Sequence, residues 1–273
     1  MTQALEILGL PFVRSALAAG VMVSLTCSYL GVFVVLRRTV FVGIAMAQLA
    51  ALGVALSLYI PWPPEALALV TTLAGALVLG STAGGRHIPR DAFIGFVYVA
   101  SVATGTLLVA KSAQGESHVL GLLFGNILTV DGAHLLILLG VTVGIALVQG
   151  LFFKEFLFSS YDPETARASG LRVGRWNLLF DLSLAVTIAA ALHEAGALLV
   201  FSMLVQPALT GLLVSSRLRR VMAIAVASGL VATVLGLVLS VLWDLPTGPA
   251  IVAVSSLFVT GAWLARRLGP ART

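Results

Sequence analysis

The sequence predicts an all-α fold, a polytopic bundle of transmembrane helices, and three observations predict it. Charged residues make up 10% of the 273 positions against 59% hydrophobic, and the mean hydropathy is +1.08. A soluble domain carries about 25% charged residues, so this chain is too poor in charge to cover a water-facing surface. Uncharged runs of about 20 residues, the length that crosses hydrocarbon as a helix, recur along it, the first between Arg14 and Arg37. Lipid offers no partner to free backbone groups, which leaves helices or closed barrels. The alternating pattern of barrel strands is absent.

Apolar runs fall at 12–36, 39–60, 65–83, 92–110, 133–153, 177–192, 196–213, 221–243 and 249–265. Polar joints separate them, among them Pro61-Trp62-Pro63-Pro64, Gly84 to Asp91, Lys111 to His118 and Lys154 to Trp176. Residues 119–130 are apolar but short for a span and predict a re-entrant or packed helix. The expectation is therefore about nine spans, with eight or ten open, in a single transmembrane domain over 1–273. The longest polar stretch, 154–176, is too short to fold alone. Glu6 stands where a leader would be basic, and the first run is long for a leader, so it reads as a span.

The net charge of +5 comes from basic residues scattered singly between apolar runs, which fits positive-inside bias rather than nucleic-acid binding. With the N-terminus outside and nine spans, 14 of the 16 Lys and Arg residues lie on the inner side, leaving Arg14 and Lys111 outside. Fusing 177–213 into one span would move Arg217, Arg219 and Arg220 outside. The expected location is the bacterial inner membrane, multi-pass, with the C-terminus cytoplasmic. The single cysteine, Cys27, lies inside the first run and reads as a packing residue.

The inner loop at about 154–176 carries the most informative polar pattern. Asp162 is a natural N-cap, Pro163 suits the first helical position and Glu164 complements the helix dipole. Gly170 is a natural stop. These predict a short capped helix on the cytoplasmic face. The chain has no Gly-x-x-x-x-Gly-Lys-Ser/Thr loop, so ATP hydrolysis is not its own chemistry.

Glu164-Thr165-Ala166, followed by three residues and then Gly170, resembles the Glu-Ala-Ala…Gly coupling loop of ABC importer permeases, Thr165 replacing the first Ala. Gly31-x-Phe33-Val34-Val35-Leu36-Arg37-Arg38, Leu123 to Leu128, Gly196 to Val200 with Gln206-Pro207-Ala208, and Asp244 to Pro249 are similar, in order, to signatures of the zinc/manganese-type permease branch. The resemblance implies a homodimeric permease set in lipid, two cytoplasmic ATPase subunits docked around Asp162, Glu164, Ala166 and Gly170, and an extracytoplasmic metal-binding protein. It also implies that the transported zinc or manganese ion is bound only in passing, with no resident cofactor.

The chain departs from the family at the second span. Ile44 and Gln48 stand where Asp and His are usual, four apart on one helical face, and Asn126 replaces a frequent Asp. Gln48 still offers a carbonyl oxygen at the position of the expected His. Asp181 and His193-Glu194 are ionisable groups in or at the ends of apolar runs, where such groups are functional suspects; Asp181 also reads as a cap or an arginine partner. Glu116, His118, Asp131 and His134 gather in sequence near the outer face, His118 and His134 singly reading as interfacial residues. A His-Glu-x-x-His protease motif fails at Ala197. Gln48, His193 and Glu194 are thus the candidate metal-path residues. A permease for another small solute, such as a metal chelate, and a non-transporting scaffold subunit remain the alternatives.

Overall fold

The computed structural model describes residues 11–81, 89–112, 125, 127 and 130–268. The elements are α1 (Pro11–Leu36), α2 (Val40–Leu56), α3 (Pro64–Ser81), α4 (Arg90–Ala110), α5 (Gly132–Leu151), α6 (Phe153–Tyr161), α7 (Pro163–Ala168), α8 (Val173–Val214), α9 (Leu218–Trp243) and α10 (Thr247–Leu268). Each apolar run of the sequence coincides with one of these helices or with one part of α8. Six helices, α1, α4, α5, α8, α9 and α10, are long and apolar enough to cross a membrane; α2 and α3 are shorter apolar helices. The re-entrant helix expected over 119–130 lies mostly outside the described residues, as do Arg86, Glu116, His118, Asn126 and Arg272. Of that stretch, Gly125 lies hard against the Ala195–Gly196 backbone, and Ile127 is buried near Gly20 of α1.

The 42 residues of α8 do not form one rod. At 1.5 Å per residue a straight helix would hold Phe180 and Leu204 about 36 Å apart. Yet the Phe180 ring lies 6.0 Å from that of Phe33, and the Leu204 carbonyl lies against Gly31, two residues away on α1. The chain must therefore reverse between them. Gly196, with φ 74° and ψ 159°, is the residue inside α8 with non-helical angles, in a region essentially restricted to glycine. α8 is a helical hairpin with Gly196 at its apex, and the two arms are the runs expected at 177–192 and 196–213.

This hairpin is the centre of the bundle, packing against α1, α2, α3, α9 and α10. Leu184, Ile188, Leu192, Val200, Met203 and Leu204 of its arms are buried. α5 packs chiefly on α1 and α8, and its Leu136, Leu147 and Leu151 are exposed, as suits a helix that faces lipid. Helices close on one another where one side chain is missing. At Gly31 an added Cβ would overlap the Leu204 carbonyl, and at Gly236 it would press on the Ile251 backbone. Such small-residue contacts replace the hydrophobic drive that lipid removes.

Gly31→Val is expected to wedge α1 from α8 and lower stability by about 3 kcal/mol, the upper range for overpacking. Gly144 has open space around its Cβ position, and Gly144→Ala is expected to be neutral or stabilising by up to about 1 kcal/mol. Thermal unfolding of the detergent-solubilised chain compares the two; equal midpoints would refute the Gly31 contact.

Candidate metal-ion site and coupling arm

Three helices bring ionisable groups together at the end of the bundle that holds the Gly196 apex. Pro64 opens α3 and places Glu65 in its first turn. Asp131 caps α5: its Oδ1 accepts from the His134 backbone N–H at 2.9 Å and lies 2.7 Å from the imidazole Nδ1. Those contacts, the backbone N–H first, hold the exposed Asp131 carboxyl below the usual carboxylate range. A carboxylate on Nδ1 fixes the ring and leaves Nε2 as the nitrogen for another partner. In this structure Nε2 faces Glu65 Oε1 at 3.2 Å.

The first arm of α8 supplies the rest. His193 stacks on His134, ring centroids 5.6 Å apart and planes inclined by 26°, with Nε2 3.8 Å from Glu65 Oε1. Glu194 is buried, its Oε1 3.8 Å from His134 Nδ1. Glu65, His134 and His193 each offer one ligand atom, and the three atoms lie within 4.8 Å of one another. An ion with bonds of about 2.0–2.2 Å would fit between such atoms after small side-chain rotations. Two imidazoles and a carboxylate suit a first-row divalent ion better than a hard cation. The surrounding pocket, about 110 Å³, has apolar walls that include Leu69, Ile137, Val186 and Ala190.

His193 and Glu194, named from sequence, are therefore neighbours of one site. His134, which alone reads as interfacial, is its central residue. Glu65 was missed, although it is the sole carboxylate between Glu6 and Asp91 in the sequence. Gln48 is half-buried in the middle of α2 and makes no hydrogen bond among the described residues. It shares a helix side with Ile44 and Leu52, and Leu52 meets Gly105 of α4; Gln48 is not among the residues lining the pocket. Asp181 is buried at the other end, within the electrostatic reach of Arg37 and Arg90.

At that other end, the loop read as 154–176 is largely helical. α6 runs to Tyr161, Asp162 intervenes and α7 follows. Asp162 Oδ1 accepts from the Thr165 N–H at 3.0 Å, and Pro163 begins the helix. The donors of Thr165, its side chain first, lower the Asp162 carboxyl below its ordinary range. Gly170, at φ 83°, follows the end of the helix. Ala166 is fully buried while Glu164, Thr165 and Arg167 are exposed, so a small anchored helix presents a charged face outward.

A bundle of apolar helices with ligand-type side chains at one end and a short capped helix with an exposed charged face at the other has the build of a membrane transport permease. The sequence matches the ABC 3 transport family over residues 9–265, and the chain belongs to that family. It is 30% identical over 251 residues to the "Manganese transport system membrane protein MntC" of Halalkalibacterium halodurans, covering 92% of this chain and 86% of that protein. It is 31% identical over 248 residues to the "Manganese import system permease protein ScaB" of Streptococcus gordonii, covering 90% and 88%. It is 28% identical over 260 residues to the "Chelated iron transport system membrane protein YfeD" of Yersinia pestis, covering 95% and 87%. A chain of the solved structure "PsaBC from Streptococcus pneumoniae in complex with Fab" superposes with a TM-score of 0.86 at 28% identity, covering 96% of this chain and 95% of that one.

Titration of the purified chain with Mn²⁺ or Co²⁺ checks the cluster. Asp131→Asn is expected to weaken binding by about tenfold, the loss typical of removing a group that orients a ligating histidine. The double change Glu65→Gln with His193→Ala is expected to weaken it further. Wild-type affinity in the double variant would exclude the site.

Proposed function

We propose that the chain is the membrane-spanning permease subunit of an ATP-driven importer for a divalent transition-metal ion, manganese or zinc. The observation that carries this reading is the convergence of Glu65, His134 and His193 at the end opposite the capped α7. One end can take an ion from an extracytoplasmic binding protein, and the other can dock ATPase subunits. Two such subunits and a second copy of the permease complete the assembly, and alternating access moves the ion inward. Manganese is favoured by the named roles of the relatives. A pocket of about 110 Å³ is small beside the 300–1,000 Å³ usual for organic ligands, which favours a bare ion over a chelate. Three ligands are few enough to leave open coordination positions, as transfer to and from the site requires.

Nine spans with the N-terminus outside is the topology proposed here. The α8 hairpin supports it, because its two arms supply two crossings. Ser216, in the turn between α8 and α9 and exposed, then lies in the cytoplasm. Ser216→Cys in a Cys27→Ser background is expected to react with a maleimide from the inside of oriented vesicles alone; labelling by an impermeant external reagent would overturn the topology.

Gln48 is a second contact in this proposal, deeper along the path. A half-buried amide in mid-membrane costs several kcal/mol unless water or a partner meets it, and an aqueous path supplies both. Manganese uptake into vesicles containing the complete transporter tests the function. Gln48→Leu is expected to slow uptake severalfold with protein abundance unchanged. Absence of any metal uptake by the wild type would remove the functional reading, and normal uptake by Gln48→Leu would remove Gln48 from the path.

A further inference from the structure

The inner end of the bundle holds a second polar constellation, remote from the carboxylate–histidine pocket. Arg37, the first residue after α1, sends its guanidinium across to α6. Nε donates to the Ser160 hydroxyl at 2.6 Å and a terminal nitrogen donates to Ser159 at 3.3 Å. The guanidinium carbon stands 4.1 Å from the centre of the Phe180 ring, on the first arm of α8. That ring lies 6.0 Å from Phe33 of α1 and 6.2 Å from Phe156 of α6. One cation thus bridges three elements over a shared aromatic floor.

Its partners suit a joint. Ser159 and Ser160 both donate to the Phe156 carbonyl of their own helix, so their local needs are met and their link to Arg37 is an extra one. The acceptors are neutral hydroxyls, and the buried Asp181 lies within electrostatic reach of Arg37 but not in contact with it, so the bonds to Ser159 and Ser160 can break and reform without separating a contacting ion pair, which costs far more. Arginine is suited to this place because its planar fork donates along one edge while its face lies on an aromatic ring. α6 leads directly into α7 with Asp162 between them, so displacement of α7 pulls on α6. From α1 the route continues: Gly31 abuts Leu204 on the second arm of α8, whose apex is flanked by His193 and Glu194.

We infer that Arg37 is a positioning residue that transmits movement of the α7 arm to α1 and to the α8 hairpin, and so ties nucleotide-driven motion to the ion site. The inference rests on the reading of α7 as the ATPase-docking helix. Its test uses the complete transporter, with both ATPase subunits, in lipid vesicles loaded to follow Mn²⁺ uptake and ATP hydrolysis together. Ser159→Ala with Ser160→Ala keeps good helix formers in α6 and removes the two acceptors of Arg37 together with their own bonds to the Phe156 carbonyl. That variant is expected to hydrolyse ATP within about twofold of wild type while manganese moved per ATP falls roughly tenfold, the scale of one hydrogen bond to a charged group. Arg37→Lys keeps the charge without the fork and is expected to fall between wild type and the serine pair. A merely structural role would lower hydrolysis and uptake together and leave their ratio unchanged; an unchanged ratio in both variants overturns the inference. Glu164→Arg with Gly170→Val is measured in parallel. If that pair also transports at the normal ratio, the docking reading of α7 has failed; if it uncouples while the serine pair and Arg37→Lys do not, the role of Arg37 alone has failed.

Discussion

A helix of 42 residues would stand about 63 Å long, twice the hydrocarbon thickness of a bilayer, and the reversal at Gly196 resolves that mismatch. At φ 74° and ψ 159° a Cβ would clash with its own backbone, so the turn depends on a residue without one. The rest of the arrangement follows from it. One arm carries His193 and Glu194 to meet Glu65 and His134; the other returns so that Leu204 meets Gly31. Gly125 closes on the apex from outside, against Ala195 and Gly196. The central position of the hairpin makes it the element that the carboxylate–histidine cluster and the α6–α7 segment both touch.

Two sets of charged side chains gather at helix ends, where the bilayer tolerates them best. They are held by neighbours from other helices, because a polar group in hydrocarbon without a partner costs several kcal/mol. The set at the Gly196 end uses mutual pairing: Asp131 orients His134, His134 meets Glu65, and His193 stacks on His134. The set at the opposite end places hydroxyls and an aromatic face against Arg37, with the buried Asp181 within electrostatic reach. Both sets therefore bind helices together.

The chain belongs to the ABC 3 transport family, matched over residues 9–265, and Ile44 and Gln48 bring no charged side chain to their face of α2. The ligand-type residues of this chain gather instead from α3, α5 and α8. An ion path does not need a fixed residue list; it needs nitrogen and oxygen donors at exchangeable distances. Glu65, His134 and His193 bring such donor atoms within 4.8 Å of one another from helices that are far apart in sequence.

The sequence by itself determined that the chain is helical and lipid-embedded, and it placed the helices to within a few residues, because burial in hydrocarbon acts on every residue of a span and leaves long uncharged runs. It also determined the capped segment from Asp162 to Gly170, whose caps are local interactions three or four residues apart. Only the tertiary structure decided that α8 folds back on itself, that His134 and Glu65 share a site with His193, and that Arg37 reaches Ser159 and Ser160. Those contacts join residues 59 to 128 positions apart, in the carboxylate–histidine cluster and in the joint at Arg37. Nothing in the local pattern of Glu65 or Arg37 distinguishes a partner across the bundle from water at a helix end. Their roles come from which helix ends the packing brings together, and that is a property of the whole bundle.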